Sequence, residues 1–343
     1  MYDPGVNYPD DMTARQYIER YFPGNAEYLR YVETIITYCF ASQTVDTFSA
    51  NETKRAIVDA LEQMKVWGTA VGGTAAIVEG LERVITGHGG WIATRTQVES
   101  VLLEGGRAVG VKLKDGRRIR ASVVVHNAGM RRLIQLVGVD NLPGEYVRRL
   151  KGAVPAVVAA LILVLNQPLL GNEHSLLHSM GWERTLNSYA PTFFDPRLAP
   201  AGRHMLDVFW VMQPPYDLKH ELELVRAQLK EIFPNFDQTV ELQVPMFFQG
   251  SWTAEMAHRL GQSGSQRLDP VSPIPGLYLV GYDCIGYGMA GDIIPHGVEK
   301  ALYRILGDPQ YKAEDEKTSA RLEKWVKSML FKALAVGQRL NVR

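Results

Sequence analysis

The chain has 343 residues, an apolar share of 46%, and 37 basic against 37 acidic residues. This length predicts about two globular domains, and the balanced charge gives no reason to expect a nucleic-acid partner. The two cysteines, Cys39 and Cys284, are far apart in the sequence, which excludes a disulfide framework or a Cys-rich zinc site and indicates a reducing, cytoplasmic compartment.

The first part of the chain is predicted to be helical. Apolar residues recur at helical spacing through residues 12–66, with few Gly or Pro interruptions. Thr74 follows two glycines and is expected to cap a further helix, which ends at Gly87. The apolar residues of that helix are expected on one face: Ile77, Val78, Leu81, Val84 and Ile85.

Short alternating stretches then predict a strand at residues 91–94, a β-meander through residues 98–113, and a return strand at residues 118–125. The return strand ends in the sequence ASVVV, which is apolar on both faces. Such a strand is typical of the centre of a sheet that is covered on both sides.

The middle of the chain predicts a mixed sheet with one packed helix. Strand-like runs occupy residues 156–165, 205–212 and 240–244, and a helix is expected at residues 218–233. The longest apolar run, residues 153–165, is shorter than the roughly 20 residues of a membrane-spanning helix, so we interpret it as a buried strand. The N-terminus has no basic segment followed by an apolar stretch, and we expect no secretory signal.

The most specific pattern lies near the C-terminus. Residues 276–283 read GLYLVGYD, residues 286–291 read GYGMAG, and a helix is expected from about residue 292 to 306. A strand, a glycine-rich loop and a helix N-terminus form a layout that suits an anion or a cofactor, because glycine permits close approach and the helix presents free N–H groups.

In order and spacing this stretch resembles the C-terminal flavin-binding motif of the carotenoid (phytoene) desaturases and the wider amine oxidase superfamily. The resemblance implies FAD as cofactor. Gly281 and Asp283 would then contact the ribityl-diphosphate part. The residues that would approach the isoalloxazine ring are Gly288, Met289, Ala290 and Gly291. The alternative is a strand-turn-helix unit that uses glycine for turning only.

A second block carries the same resemblance, in the succession of helix, meander and return strand over residues 71–129. By this resemblance the backbone of Val98 would meet the adenine, and Asn127 and Ala128 would end the return strand beside the nucleotide. A looser match covers residues 259–270. Taken alone, Val98 would be an ordinary sheet residue.

The resemblance implies an α/β fold class, with an α+β substrate domain and an incomplete Rossmann-like FAD-binding domain. The expected units are the helical part of the substrate domain (1–66), a helix, meander and return strand of the FAD-binding domain (67–130), the mixed sheet and helices of the substrate domain (131–270), the C-terminal FAD-binding strand, loop and helix (271–310), and an amphipathic tail (311–343).

The sequence differs from the family in one major feature, the N-terminal dinucleotide-binding unit. The family begins with a βαβ unit that carries GxGxxG, and here that spacing occurs only in the C-terminal loop at residues 286–291. The main diphosphate cradle is therefore expected from a second polypeptide, unless the chain is a fragment or a derivative that has lost redox function. These three alternatives stay open at the level of sequence.

Flavin-dependent desaturation needs loss of a hydride and a proton, so few protein acid-base groups are expected. Asp292 and His296 follow the proposed ring-facing glycines and are the candidates for a proton relay, although an Asp at the first turn of a helix is more often a cap. His174 and His178 have no accompanying carboxylate pattern, and we predict no metal.

The expected substrate is a lipophilic small molecule, and the first hypothesis is a desaturase or isomerase of a polyene. Residues 191–194, 209–212 and 246–252 supply aromatic and Met side chains for a long apolar pocket, or equally for core packing. Two further hypotheses are another flavin oxidoreductase, of the amine oxidase or retinol saturase kind, and a non-catalytic lipid-binding or assembly subunit.

The tail from residue 317 onward predicts a basic amphipathic helix. Such a helix either docks on its own domain or lies on an anionic membrane surface. The second arrangement would make the protein peripheral to the membrane.

Overall fold

A computed structural model describes residues 8–42, 44–63, 69–179, 181–250, 253–288, 291 and 293–308, without the side chains of residues 58–63. Three predicted site residues, Met289, Ala290 and Asp292, therefore lie outside the described residues. The same holds for the amphipathic tail.

The described helices are α1 (Ala14–Tyr21), α2 (Ala26–Phe40), α3 (Ala50–Gln63), α4 (Thr74–Gly87), α5 (Met130–Val137), α6 (Gly144–Gly152), α7 (Pro191–Phe194), α8 (Leu218–Ile232), α9 (Phe236–Thr239) and α10 (Ile293–Leu306). The strands are β1 (Val98–Glu104), β2 (Arg107–Leu113), β3 (Arg118–Arg120), β4 (Val124–His126), β5 (Val157–Leu165), β6 (Leu176–His178), β7 (Asn187–Tyr189), β8 (His204–Val211), β9 (Val240–Gln249) and β10 (Leu277–Leu279).

The helical opening of the chain is confirmed. Helix α1 begins with a capping box, in which Thr13 accepts a hydrogen bond from the Gln16 backbone and the Gln16 side chain accepts one from the Thr13 backbone. The apolar faces of α1, α2 and α3 share one core that contains Ile18, Ile36 and Phe40. Within the described residues, no helix is both long enough and apolar enough to cross a membrane.

The central sheet has the order β6-β7-β8-β5-β9, and every neighbouring pair is antiparallel. The prediction of a mixed sheet was wrong. Helix α8 links β8 to β9 and leaves these two strands parallel to each other, as a helical crossover does. However, β5 lies between them and runs the opposite way, so no parallel pair is formed.

One face of this sheet, which we call the back face, packs on α8. The core there includes Leu161 of β5, Trp210 of β8 and Val225 of α8, all fully buried. The buried carboxylate of Glu221 accepts hydrogen bonds from Trp210 Nε1 at 2.9 Å and from the Arg184 guanidinium at 2.7 Å. This pairing satisfies charges that would otherwise be costly to bury.

The meander β1-β2-β3 packs with α5 on a second core that also receives β10. Gly110 of β2 has φ +142°, and a β-carbon there would lie 2.1 Å from the carbonyl oxygen of Ile119 on β3. Glycine is therefore required for this strand pairing. The predicted strand at residues 91–94 is wrong, because residues 91–93 have no regular secondary structure and a turn begins at residue 94.

Strands β4 and β10 form a two-stranded parallel sheet. The return strand predicted at residues 118–125 is divided between β3, which pairs with β2, and β4. The expectation that it is covered on both faces was wrong, since β4 is short and Val125 is 50% exposed. A parallel pair normally lies inside a larger, covered sheet. The described residues supply no further strand beside β4.

Helix α4 is confirmed in position, but no residue of it is buried. All five predicted apolar-face residues of α4 are between 44% and 61% exposed. Its N-cap is Gly73, with φ +75° and no side-chain cap bond, so the predicted cap at Thr74 was wrong. An apolar helix face of this kind normally packs against another element.

Candidate functional site

The two parallel strands bring two predicted segments to one sheet edge. Leu277 pairs with Val124 and Leu279 pairs with His126, so β4 and β10 end side by side. The chain then leaves β4 through residues 127–129 and leaves β10 through residues 280–283. In open α/β sheets ligands bind beyond the carboxyl ends of the strands, which is where these two loops lie.

Gly281 and Asn127, two of the predicted cofactor residues, are in close contact. Gly281 has φ +114°, and a β-carbon on it would lie 2.2 Å from Asn127 Oδ1. Asn127 and Ala128 are both exposed at this edge. The two loops therefore form a wall of backbone and one amide side chain, and only glycine fits at position 281.

His126 stabilises the first loop from within. Its Nε2 donates a hydrogen bond to the Gly129 carbonyl oxygen at 2.7 Å, and its own carbonyl accepts one from Val280 N at 3.0 Å. Burial lowers the pKa of His126, while the bond to Gly129 acts in the opposite direction. The ring of His126 thus holds the first loop, and its backbone carbonyl links that loop to the second.

Asp283 faces inward. Its carboxylate accepts a hydrogen bond from Met256 N at 2.9 Å and lies 3.9 Å from Arg267 Nη2, and its side chain is only 16% exposed. Burial raises the pKa of Asp283, against the lowering effects of these two partners. In this arrangement Asp283 fixes the second loop, and its contact with a ribityl-diphosphate group stays a prediction.

Arg267 is the residue that sequence reasoning missed at this site. It is 1% exposed and donates to the carbonyl oxygens of Gln262 at 2.8 Å, Met256 at 2.9 Å and Tyr282 at 2.6 Å. Its only sequence signal was the loose family match over residues 259–270. A buried arginine with three carbonyl partners holds this segment and the Gly281 loop in a fixed relative position.

The glycine-rich loop is held from the helical opening of the chain. The Arg55 guanidinium lies 4.0 Å from the ring centroid of Tyr287, and the ring of His296 meets the same Tyr287 edge-on at 5.3 Å. Nearby, Glu52 is 2% exposed, and burial raises the pKa of its carboxyl. The predicted relay residue His296 therefore lies on α10 against the loop that was expected to approach the flavin ring.

Glycines shape this loop. A β-carbon on Gly286 would lie 2.3 Å from the carbonyl oxygen of Ile293, so the loop passes directly against the start of α10. Gly288 has φ +122°, a conformation that side-chain-bearing residues rarely adopt. The contact of Gly288 and Gly291 with a ring stays a prediction.

Val98 lies at the first position of β1, half-buried against the core that also receives Val124. Its carbonyl accepts a hydrogen bond from Arg132 Nη2 at 3.3 Å. Its backbone role toward an adenine stays a prediction.

The face of the central sheet opposite α8, which we call the front face, is largely apolar. The side chains on it follow from the strand register, since direct partners point to the same side. They include Val158, Ala160, Ile162 and Val164 of β5, Met205, Asp207 and Phe209 of β8, and Leu242, Val244 and Met246 of β9.

The aromatic and Met segments predicted for a substrate pocket divide between this face and the core. Phe209 and Met246 are on the front face, whereas Trp210 and Met212 are fully buried in the α8 core. Phe193 is 43% exposed.

A cleft of about 340 Å³ lies at the far end of the sheet, lined by residues that include Leu165, Phe193 and Met205. β5 begins near the Gly281 loop, because Ala156 N bonds Ala254 O and the nearby Met256 N bonds the Asp283 carboxylate. The strand ends nine residues after Ala156 at this cleft. At ~3.3 Å per residue the cleft is about 30 Å from Ala156. It is therefore separate from the two convergent loops.

Comparison with known proteins identifies the family. The model of the family described as flavin containing amine oxidoreductase matches residues 8–297. The chain belongs to this family. Membership implies a flavin cofactor, and it supports the resemblance to carotenoid desaturases.

Two groups of curated relatives are similar to parts of the chain. The chloroplastic prolycopene isomerase of Arabidopsis thaliana is 28% identical over 193 residues, which is 50% of this chain and 32% of that protein. The neurosporene-forming phytoene desaturase of Cereibacter sphaeroides is 46% identical over 59 residues, 17% of this chain and 11% of that protein. The chain spans between 32% and 49% of the length of the prolycopene isomerases that it matches.

Solved structures show the fold. An oxidoreductase from Methanosarcina mazei superposes with a TM-score of 0.71 at 23% identity, over 86% of this chain and 68% of that one. A redesigned putrescine oxidase superposes with a TM-score of 0.61 at 15% identity, over 87% and 68% of the two chains. The α/β class expected from the sequence is confirmed.

The described residues fit part of a flavin site. The wall formed by Gly281, Asn127 and Ala128 lies at the carboxyl edge of a parallel sheet, and its glycine leaves room for close backbone approach. The sequence carries no GxGxxG outside the C-terminal loop, so the usual diphosphate cradle is not among these residues. These residues would therefore form only part of the family's flavin site.

Proposed function

We propose that the protein is an FAD-dependent oxidoreductase that desaturates or isomerises a lipophilic polyene. The observation that carries this proposal is the contact between Gly281 and Asn127 at the carboxyl edge of β4 and β10, within a chain of the flavin amine oxidoreductase family. Relatives named prolycopene isomerase and phytoene desaturase support a polyene substrate.

The roles of the chain's own residues follow from their placement. The backbone at Gly281, Asn127 and Ala128 would line the dinucleotide, and Arg267 with Asp283 keeps that loop in place. When bound, the flavin supplies the acceptor for a hydride. His296, beside Tyr287, is assigned to hold or move the proton, while Asp292 shares that assignment on sequence grounds alone.

We further propose that a second polypeptide supplies the missing GxGxxG segment. Val125 of β4 is 50% exposed, and the apolar residues of α4 are between 44% and 61% exposed. A strand added beside β4, followed by a helix, would extend the parallel sheet and cover apolar surface of this kind. The partner is thus expected to be a short βαβ unit.

The first test is the visible absorbance spectrum of the purified chain after incubation with FAD and desalting. Retained flavin bands are expected in the wild-type chain and are expected to be lost in Gly281→Val. The control Gly261→Val also replaces a glycine with positive φ, +77°, but no atom lies within 4 Å of its β-carbon position. A colourless wild-type chain would favour the non-catalytic lipid-binding alternative, or an absolute need for the partner.

The partner is tested by supplying a βαβ segment with GxGxxG in trans. Flavin retention should rise, and hydrogen exchange at the amides of β4 should slow. The double variant Val78→Glu/Leu81→Glu should abolish both effects, because it places charges on the exposed apolar face of α4. An unchanged exchange rate at β4 would contradict this arrangement.

We also propose a cytoplasmic protein that is peripheral to the membrane, on the basis of the basic amphipathic tail predicted for residues 317–343. Co-sedimentation with vesicles that contain about 30% anionic lipid tests this, with neutral vesicles as the control. Removal of residues 317–343 should abolish binding.

A further inference from the structure

Asp207 is the one acidic side chain that β8 places on the apolar front face. Its direct strand partners are Ile162 on β5 and Tyr189 on β7, and Met205 and Phe209 flank it on the same side of its own strand. A carboxyl group among these side chains is exceptional, because transfer of an unpaired charge to apolar surroundings is costly.

The carboxyl has an unused acceptor. Its Oδ1 atom is buried and has no hydrogen-bond partner among the described residues. Burial alone raises the pKa of Asp207 to about 6, with no contribution from a neighbouring cation. By comparison, the buried Glu221 on α8 is matched by Arg184 and Trp210. The protein therefore provides a partner for one buried carboxyl of this domain and not for the other.

The front face beside Asp207 has the dimensions of an elongated ligand. Leu242, Val244 and Met246 of β9 are 54%, 42% and 39% exposed, and they continue the face past β5. Across the six residue steps from Leu242 to Phe248 the strand extends about 20 Å at ~3.3 Å per residue. This is an apolar strip, and Asp207 lies on the far side of β5 from it, on the same face of the sheet.

We propose that Asp207 is a specificity-determining residue that accepts a hydrogen bond from the hydroxyl group of a polyene alcohol lying along the front face. The proposal rests on the proposed function, which it narrows from lipophilic polyenes in general to those that carry one hydroxyl. The apolar chain of such a ligand covers the exposed side chains of β9 and the half-buried ones of β5, and its hydroxyl satisfies Oδ1.

A neutral alcohol fits this face better than an amine of the same length. An ammonium group would have to be desolvated among Ile162, Met205 and Phe209, with one carboxyl as its only described partner on this strand. A hydroxyl donates equally to that carboxylate and has a much smaller desolvation cost. A hydrocarbon, in contrast, leaves Oδ1 unsatisfied.

The test is fluorescence titration of the full chain with three probes of similar shape: retinol, its hydrocarbon analogue anhydroretinol, and retinylamine. Asp207→Leu removes the acceptor and fits an apolar face. Asp207→Asn keeps a carbonyl oxygen. Glu231→Gln, at an exposed position on α8, is the matched control. A flavin is not needed for this measurement.

Retinol should bind the wild type more tightly than either other probe, and Asp207→Leu should weaken it about tenfold, as expected for a hydrogen bond to a charged group. Asp207→Asn should lose only about threefold. Anhydroretinol should bind Asp207→Leu at least as well as the wild type. A thermal melt confirms that each variant is folded.

Two outcomes would overturn the inference in distinguishable ways. If retinol binds the wild type and Asp207→Leu equally, or if retinylamine binds best, the role of Asp207 is wrong while a polyene substrate stands. If none of the probes binds the folded wild type, the proposed polyene function fails together with the inference.

Discussion

Gly281 and Asn127 lie so close that a β-carbon at position 281 would be 2.2 Å from Asn127 Oδ1. The two residues are 154 positions apart in the sequence, and they meet because β4 and β10 are parallel neighbours that end together. This contact defines the wall of the candidate cofactor site.

Gly281→Ala is expected to destabilise the fold by at least about 2 kcal/mol, because the new methyl group clashes with Asn127 and the backbone is in a glycine-only conformation. Gly261→Ala, with φ +77° and open space around its β-carbon position, should lose only about 1 kcal/mol. Urea unfolding measures both. Equal losses would mean that the contact with Asn127 has no energetic consequence.

Arg267→Met is expected to lose about 3 kcal/mol, because it leaves buried carbonyl oxygens of Gln262, Met256 and Tyr282 without their donor. The control is Arg203→Met, which removes a 41% exposed ion-pair partner of Glu241 and should change stability by no more than about 0.5 kcal/mol. If the two variants unfold at the same denaturant concentration, the hydrogen bonds of Arg267 do not stabilise the Gly281 loop.

Asp207 should produce a specific pH dependence of stability. Burial raises its pKa in the folded protein to about 6, above the ordinary 3.8 of an aspartate carboxyl, so between these values the folded state holds a proton that the unfolded state has lost. The contribution of Asp207 to stability is therefore fully present below about pH 4 and declines as the pH rises to about 6. Asp207→Asn should remove this decline.

The measurement is chemical denaturation at a series of pH values from 4 to 7, compared with Glu231→Gln. The wild type and Glu231→Gln should have similar profiles, and Asp207→Asn should gain stability relative to both toward pH 7. If the free energy of unfolding of all three proteins changed with pH in the same way, the carboxyl at position 207 would not be the cause of the decline.

Leu81→Glu on α4 should reduce the fluorescence of the dye ANS and leave the free energy of unfolding within about 0.5 kcal/mol, because Leu81 is 61% exposed. Leu133→Ala on α5 is the buried comparison. Leu133 is fully buried, and its truncation should cost about 3 kcal/mol. A comparable loss in Leu81→Glu would show that α4 is packed in solution.

Several elements could be predicted because their signals are local. The helices α1 to α3, α8 and α10 follow from apolar spacing over long segments, and the β1-β2 pair follows from its turn residues. The motif around Gly281 and Asp283 also lies in one continuous stretch. These signals need no knowledge of distant contacts.

Other features could not be predicted, because they depend on what packs against each segment. The sequence of β4 suits a covered strand, yet Val125 is exposed since no further strand lies beside it in the described part of the chain. The antiparallel sheet was missed because strand order, not strand sequence, places β5 between β8 and β9. Arg267 has no sequence signal beyond the loose family match over residues 259–270, which does not indicate its burial.

The sequence by itself thus determined the family resemblance, most of the helices and the flavin-type loop, because spacing and glycine chemistry are written along the chain. Only the tertiary structure decided that Asn127 faces Gly281, that Asp283 pairs inward with Arg267, and that Asp207 Oδ1 has no hydrogen-bond partner among the described residues. The physical reason is that burial and hydrogen-bond satisfaction are set by neighbours from distant segments, which local propensity does not encode.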